Sequence, residues 1–495
     1  MSRDPSALGQ TDSWDGVRAV VAGFGVSGFA AADNLTHLGA QVTALDESSA
    51  DAGPVERSEK AQLLEILGAT VRLGEGATAT LPDDVDVVIT SPGWRPEAPL
   101  LAQAAARGIP VWGEVELAWR LRHPEQAAPW LAVTGTNGKT TTVQMLEHIA
   151  RTAGLRAVAA GNVGLPLVEA VMDPLPYDVI AVELSSFQLH YTHSMSAESA
   201  AVLNLAEDHL DWYGSGPAAM GAYAADKGRI YERAQRACIY NVADPETERL
   251  VREADVIEGA RAVGFTLGMP DVGMLGLVEE ILVDRAFIEE RKTSAAELCT
   301  LEDLPSQAPH VVANALAAAA LARSHGVSQA AVRDGLRTFT LGGHRISVVA
   351  EHQGITWVDD SKATNPHAAM SSLRAYDPVV WVAGGLAKGA RFEELVAAVR
   401  GRLRAVVLIG RDADVIAEAL ARHAPDVPVI RPVTDETGVT GEHGPMGRVV
   451  EAAASVAQPG DTVLLAPGCA SMDMFTDYGA RGDAFAAAVR THTGG

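Results

Sequence analysis

Residues 130–142, Trp-Leu-Ala-Val-Thr-Gly-Thr-Asn-Gly-Lys-Thr-Thr-Thr, constrain this chain more than any other segment. An apolar run (130–133) ends in a glycine turn, Lys139 and Thr140 follow, and Val143, Leu146 and Ile149 then repeat at helical spacing. Strand, glycine loop, Lys-Thr and helix in this order form a cradle for nucleotide phosphates. Gly135 and Gly138 let backbone N–H groups turn toward an anion, and the helix N-terminus adds partial positive charge. Lys139 is then placed to reach the outer phosphates and the Thr140 hydroxyl to ligate Mg²⁺, with Thr136, Asn137 and Thr141 completing the cradle. Val133 stands where the full phosphate-loop pattern has glycine, so the loop is the shorter Gly-Thr-Asn-Gly-Lys-Thr. A chain built this way is expected to consume a nucleoside triphosphate.

At 495 residues there is room for about three domains. A hydrophobic share of 47% with 21% charged residues predicts a soluble globular chain. The net charge of −24 argues against nucleic acid or an anionic membrane as partner. Three cysteines without a CxxC give neither a disulfide framework nor a zinc site. The N-terminus has no apolar signal core, and the alanine-rich run 315–322 is too short to span a bilayer, so no membrane insertion and a cytoplasmic location are expected.

The alternation of short apolar runs with helical patterns predicts an α/β protein of three domains. After a polar tail (1–16) comes a Rossmann-like parallel sheet (17–121), with strands expected over 17–25, 40–46, 84–91 and 109–112 and a linker over 121–129. A central phosphate-loop ATPase-type domain (122–341) adds strands over 178–184, 200–205 and 237–241, and runs such as 276–283 suggest β-hairpins. A third, Rossmann-like domain (342–495) carries strands over 355–358, 379–383, 405–409 and 462–466, with a surface loop over 433–446.

Other clusters fall at strand ends, where ligands collect in open α/β sheets. Gly23-Phe-Gly-Val-Ser-Gly28 is a G-x-G-x-x-G between strand and helix, and Asp46 ends the next strand, where an acid would grip a ribose. This fingerprint suits NAD, and equally any diphosphate such as UDP. Glu183 ends a strand beside the phosphate loop and is placed to hold Mg²⁺. His209 lies among Glu207, Asp208 and Asp211. In the third block Arg345, Lys362 and Lys388 are candidate holders of phosphate or carboxylate, and Cys469 is read as a packed small residue.

Gly-Thr-Asn-Gly-Lys-Thr, Glu-Leu-Ser-Ser-Phe-Gln, Glu-Asp-His-Leu-Asp, His-Arg and Asp-Ser-Lys-Ala-Thr-Asn occur in one order across all three blocks, and together they resemble the Mur ligase family. The likeness runs to the branch that adds D-glutamate to UDP-N-acetylmuramoyl-L-alanine, with ATP as co-substrate and an acyl phosphate on the path to peptidoglycan. It implies two Mg²⁺ ions, one on Thr140 and Glu183, a second on His209 and on Lys227 carrying a CO₂-derived carbamate. It assigns Asn314 to adenine, Arg345 and Asp360 to the ATP phosphates and ribose, and Gly25, Ser27, Asp46, Ser91 and Asn162 to the nucleotide-sugar. Thr364, Lys388, Ser471 and Tyr478 fall to the amino acid, and a monomer is expected. Leu386 and Ala387 depart from the family's glycine-rich stretch before Lys388.

Other readings stay open. An L-alanine-adding sister would not be expected to carry the Lys227 carbamate, and a diaminopimelate- or lysine-adding one would show an Asp-Asn-Pro-Arg motif, absent here. An NAD-dependent oxidoreductase would rest on the first glycine fingerprint alone.

Overall fold

Each of the three blocks builds its own sheet in the computed structural model, which describes residues 4–48, 55–214, 216–432 and 444–494. The first comprises β1 (Arg18–Ala22), β2 (Gln41–Asp46), β3 (Thr70–Leu73), β4 (Val87–Thr90) and β5 (Val111–Gly113). They pair in parallel in the order β3-β2-β1-β4-β5. The order reverses between β1 and β4, which leaves a crevice outside their carboxyl ends.

The second sheet holds β6 (Trp130–Thr134), β7 (Ala157–Gly161), β8 (Val179–Glu183), β9 (Ser199–Val202), β10 (Ala237–Asn241), β11 (Arg261–Phe265), β12 (Met274–Val278), β13 (Ile281–Asp284) and β14 (Ala296–Thr300). Its order is β14-β13-β12-β11-β10-β9-β6-β8-β7. The hairpins expected around 276–283 are present: β12, β13 and β14 run antiparallel, and the rest of the sheet is parallel. The central strand β6 is buried throughout and delivers the phosphate loop. Behind it the helix Gln329–Thr338 presses on the helix Lys139–Thr152, where a Cβ on Gly335 would sit 2.8 Å from Ile149 Cα.

The third sheet holds β15 (Ser347–His352), β16 (Ile355–Asp359), β17 (Val379–Gly384), β18 (Leu403–Ile409), β19 (Val429–Ile430) and β20 (Thr462–Leu465), in the order β15-β16-β20-β17-β18-β19. Only the β15–β16 pair is antiparallel.

The chain forms two compact units. One comprises Met1–Leu205, Leu210–Leu304 and Val312–Phe339, the other Ala206–His209, Pro305–Val311 and Thr340–Gly495. The first two sheets therefore share a unit, and buried side chains run continuously from one to the other.

Several segments differ from the sequence reading. Within the expected polar tail, Trp14 is fully buried, its backbone N–H donating to the Leu38 carbonyl and its indole N–H to the Gly9 carbonyl (3.1 Å), because one large ring outweighs its polar neighbours. The loop expected over 433–446 lies outside the described residues as far as 443, and from Gly444 the chain is helical, Gly444–Ala454. Strands β3, β7, β11, β15 and β19 carried no clear sequence signal. β3 is a half-exposed Thr-Val-Arg-Leu, and β7, Ala-Val-Ala-Ala-Gly, is made of residues too small to stand out.

Candidate active site

Gly135 and Gly138 turn the loop after β6 with φ of +152° and +85°. A Cβ on Gly138 would fall 2.3 Å from Asn314 Oδ1, so only glycine allows this side chain to approach the loop. The loop is braced from the next strand: Asn137 N–H donates to Asn204 Oδ1 (2.9 Å) and Asn204 Nδ2 to the Asn137 carbonyl (3.0 Å). The Thr136 and Tyr223 hydroxyls lie 2.9 Å apart. No side chain caps the helix Lys139–Thr152, so its first N–H groups face the loop. Lys139 Nζ folds back to donate to the carbonyls of Gly135 (2.8 Å) and Thr136 (2.9 Å).

Lys227 stands in Ala-Ala-Asp-Lys-Gly-Arg, a stretch that by itself reads as solvated surface, and is buried on the helix Pro217–Gly228. Its ammonium donates to Gly135 O (2.9 Å) and Thr134 Oγ1 (3.4 Å) and lies 4.7 Å from the centre of the Tyr223 ring.

Glu183 is buried at the end of β8, beside β6. Asn162 grips it twice, through Nδ2 to Oε1 (2.8 Å) and through its backbone N–H to the Glu183 carbonyl (2.9 Å). Glu183 Oε2 is buried with no hydrogen-bond partner. An unsatisfied carboxylate oxygen beside a phosphate loop suits a cation. Among the described residues no three His, Cys, Asp or Glu side chains gather as a ready-made metal cage. A metal here would complete its shell from phosphate oxygens and water, which is the habit of Mg²⁺.

At the β1–β4 crevice, a Cβ on Gly28 would strike the Gly23 carbonyl at 2.0 Å and one on Gly23 would meet Ser91 Oγ at 2.6 Å. Ser91 Oγ is buried without a partner there. Gly25 precedes the helix Val26–His37 with no side-chain cap, and Ser27 lies in its first turn. Asp46, expected to face a ribose, also holds the glycine loop itself, accepting from Phe24 N–H (2.6 Å) and Ser48 N–H (2.8 Å) and pairing with Arg57 (2.8 Å). Burial raises its pKa, but those backbone donors, the Ser48 hydroxyl and Arg57 outweigh burial and leave the carboxyl below its ordinary value.

The second unit gathers the remaining candidates at strand ends. Asp360 follows β16, is buried, and accepts from the Ser372 hydroxyl and from Ile346 N–H (3.3 Å). Burial raises its pKa to about 6 against these hydrogen bonds, with the Asp359 charge adding and the Arg345 charge opposing. The Lys362 ammonium lies 3.9 Å from the centre of the Tyr478 ring. Thr364 N–H donates to the Lys362 carbonyl (2.8 Å), Ser471 is buried, and Lys388 is exposed with φ of +50°. His209 is half exposed with φ of +51°, its Nε2 3.6 Å from Asp208 Oδ1.

Sequence reasoning passed over Asn204, Tyr223 and Arg481. The first two lie a few residues before marked positions, Asn204 before Glu207 and Tyr223 before Lys227, where a brace looks like a bystander. Arg481 was not singled out by the sequence, yet it is buried, with its guanidinium on Ser361 Oγ, the Ser361 carbonyl and the Cys469 carbonyl.

The fold and its phosphate cradle define a Mur ligase, and the chain belongs to the Mur ligase family. Residues 17–113 match the Mur ligase MurD-like N-terminal domain, 133–322 the Mur ligase middle domain and 344–469 the Mur ligase glutamate ligase domain. The chain is 59% identical to the UDP-N-acetylmuramoylalanine–D-glutamate ligase of Streptomyces avermitilis over 97% of its length and 99% of that protein's. It is 46% identical to that of Mycolicibacterium smegmatis over 97% of both. Among solved structures, UDP-N-acetylmuramate-alanine ligase MurC from Thermotoga maritima shares the fold at 18% identity and a TM-score of 0.52, over 96% of this chain and 99% of that one. The pseudomurein peptide ligase type C from Methanothermus fervidus does so at 17% identity and 0.55, over 96% and 100%.

Proposed function

We propose that the protein joins D-glutamate to UDP-N-acetylmuramoyl-L-alanine at the expense of ATP, in peptidoglycan synthesis and hence in cell-wall growth, cell shape and division. The observation that carries the reading is the phosphate loop of β6 standing beside a buried carboxylate with one oxygen unsatisfied, in a chain so similar to D-glutamate-adding ligases. On this reading residues 17–121 bind the UDP moiety through Gly25, Ser27, Asp46 and Ser91, with Asn162 reaching the sugar side. Residues 122–341 bind ATP, and residues 342–495 admit the amino acid through Thr364, Lys388, Ser471 and Tyr478.

The L-alanyl carboxylate attacks the γ-phosphorus, ADP departs, and the D-glutamate amine displaces phosphate from the acyl phosphate, losing a proton as the amide forms. Lys139 releases the loop carbonyls and follows the outer phosphates, offsetting charge as it develops. The N–H groups at the helix start, which no side chain caps, hold the phosphates in line. Thr140 and Glu183 would hold one Mg²⁺, with His209 and carbamylated Lys227 proposed for a second. Bound Mg²⁺ supplies the counter-charge that lets a carboxylate approach a polyanion. A carbamate suits Lys227, because its nitrogen keeps one N–H for the Gly135 carbonyl while the group becomes anionic. Asn314 against the loop, with Arg345 and Asp360, completes the proposed nucleotide contacts.

The protein is read as a cytoplasmic monomer; no helix among the described residues is long and apolar enough to cross a membrane. The test is orthophosphate release with UDP-N-acetylmuramoyl-L-alanine and each of D-glutamate, L-glutamate, L-alanine and diaminopimelate. Release that depends on D-glutamate alone supports the reading, and equal release with L-alanine overturns it. A change in nicotinamide absorbance on adding NAD would favour the oxidoreductase reading.

A further inference from the structure

Lys388 stands in the left-handed region at φ +50°, a conformation that costs a non-glycine residue about 1 kcal/mol or more and must be imposed from outside. The surroundings supply the constraint. Leu386 N–H donates to the Ala470 carbonyl (2.9 Å) and Ala470 N–H returns to the Leu386 carbonyl (3.0 Å), a one-rung antiparallel bridge to the loop after β20. The next amide, Ala387 N–H, donates to the Asp412 carboxylate (2.8 Å), and Asp412 N–H donates back to the Gly385 carbonyl (3.0 Å). Gly384 and Gly385 have φ of +123° and +135°, and a Cβ on either would strike a carbonyl, that of Ile409 at 1.9 Å or of Ala470 at 2.2 Å. Asp412 is itself seated, because the preceding Arg411 N–H donates to Asp473 (2.8 Å) on the loop after β20.

Loops from the ends of β17, β18 and β20 are thus locked together, and one carboxylate holds the amide immediately before Lys388. This also fits the departure of Leu386 and Ala387 from the more flexible or polar residues of the resembled family's glycine-rich stretch. The structure holds these two positions by their backbone N–H groups, which any residue except proline provides.

We propose that Asp412 is a positioning residue for the incoming amino acid: through Ala387 N–H it fixes the left-handed backbone from which Lys388 meets the amino acid's carboxylate. The inference rests on the reading that Lys388 binds D-glutamate. It assigns Asp412 no contact with substrate.

The experiment uses the full-length protein with saturating ATP and UDP-N-acetylmuramoyl-L-alanine. Asp412→Ala is expected to raise KM for D-glutamate about tenfold, leaving KM for the two nucleotides within about twofold, since a lost charge-assisted hydrogen bond acts only through Lys388. Asp412→Asn, whose amide oxygen still accepts from Ala387 N–H, is expected to restore most of the loss. In a Lys388→Ala background, Asp412→Ala is expected to add little, because both changes disable the same contact. Additive costs, or equal rises in all three KM values, would overturn the inference and mark Asp412 as general scaffolding. If Lys388→Ala alone leaves KM for D-glutamate unchanged, the reading of Lys388 falls and takes the inference with it, whereas an inert Asp412→Ala beside a damaging Lys388→Ala removes Asp412 alone.

Discussion

Lys139 and Lys227 share one acceptor: both ammonium groups donate to the Gly135 carbonyl oxygen, at 2.8 and 2.9 Å. Two cations on one oxygen stand within about 6 Å of each other, where like charges in a poorly hydrated site repel by kilocalories. On the proposed reading the same loop opens to triphosphate, Lys139 leaves for the phosphates, and a carbamate on Lys227 would remove the repulsion.

Lys139→Ala is expected to lower ligation by about a thousandfold, the cost of removing one preorganised charge from a developing transition state. Orthophosphate release under saturating substrates reads it, and ligation at the parent rate would end the ligase mechanism proposed above.

Lys227 is expected to take up label from isotopically labelled bicarbonate, and Lys227→Ala to need at least about tenfold more Mg²⁺ for half-maximal rate, as metal sites do when a supporting group is lost. Lys227→Met gives a second measure of the lost charge with the volume kept. Mass spectrometry showing no label, with Mg²⁺ dependence unchanged, would remove the carbamate from the account.

Glu183→Gln keeps the Asn162 contact but replaces the unsatisfied Oε2 by an N–H₂ that cannot ligate a cation. The expected result is again a need for at least about tenfold more Mg²⁺ at an unchanged melting temperature. Unaltered Mg²⁺ titrations would detach Glu183 from the metal.

Gly138→Ala would place a methyl group 2.3 Å from Asn314 Oδ1 in a backbone with φ of +85°. Loss of the glycine conformation together with the Asn314 approach is expected to weaken an ATP analogue by about a hundredfold. Calorimetric titration checks it, and Gly154→Ala, equally left-handed at φ +85° but in open space, is the control expected to spare binding.

Glu114 follows β5 in the first unit; it is fully buried, with Oε1 accepting from Val168 N–H (2.7 Å) and Oε2 without a partner. Burial first, and the nearby Glu169 charge next, raise its pKa from 4.5 to about 7 against the Val168 and Leu167 amides. The folded carboxyl keeps its proton over a range in which the unfolded chain has lost it. Folding therefore takes up a proton, and stability falls as pH climbs from about 4.5 to 7, by up to on the order of 3 kcal/mol. Glu114→Gln carries no such loss. Urea denaturation is expected to find the variant more stable than the parent near pH 8, with a smaller gap near pH 5; a gap independent of pH would contradict the assignment.

Much of the candidate site's local geometry was legible because its parts are local. Gly135, Gly138, Lys139 and Thr140 fall within six consecutive residues, and a strand, a turn and a helix start need no distant partner to be recognised. The third block's polar loops were legible for the same reason, each following an apolar strand. Lys227 was not: in Ala-Ala-Asp-Lys-Gly-Arg it has the local signature of a solvated lysine, and it was marked through the family resemblance alone. Strand β7 and the packed Trp14 were hidden because their burial comes from neighbours far along the chain.

The sequence by itself determined the strands and helices with strong apolar periodicity and the polar residues at their ends, since periodicity, glycine placement and the Lys-Thr step act over a few residues. Only the tertiary structure decided that Lys227 is buried on the Gly135 carbonyl, that Asn162 holds one oxygen of Glu183 and leaves the other bare, and that Asp412 holds the backbone of the Lys388 loop. Those pairs are separated by 92, 21 and 25 positions. Contacts at such distances are fixed by sheet order and core packing, which bring loops together only once the whole parallel sheet has formed.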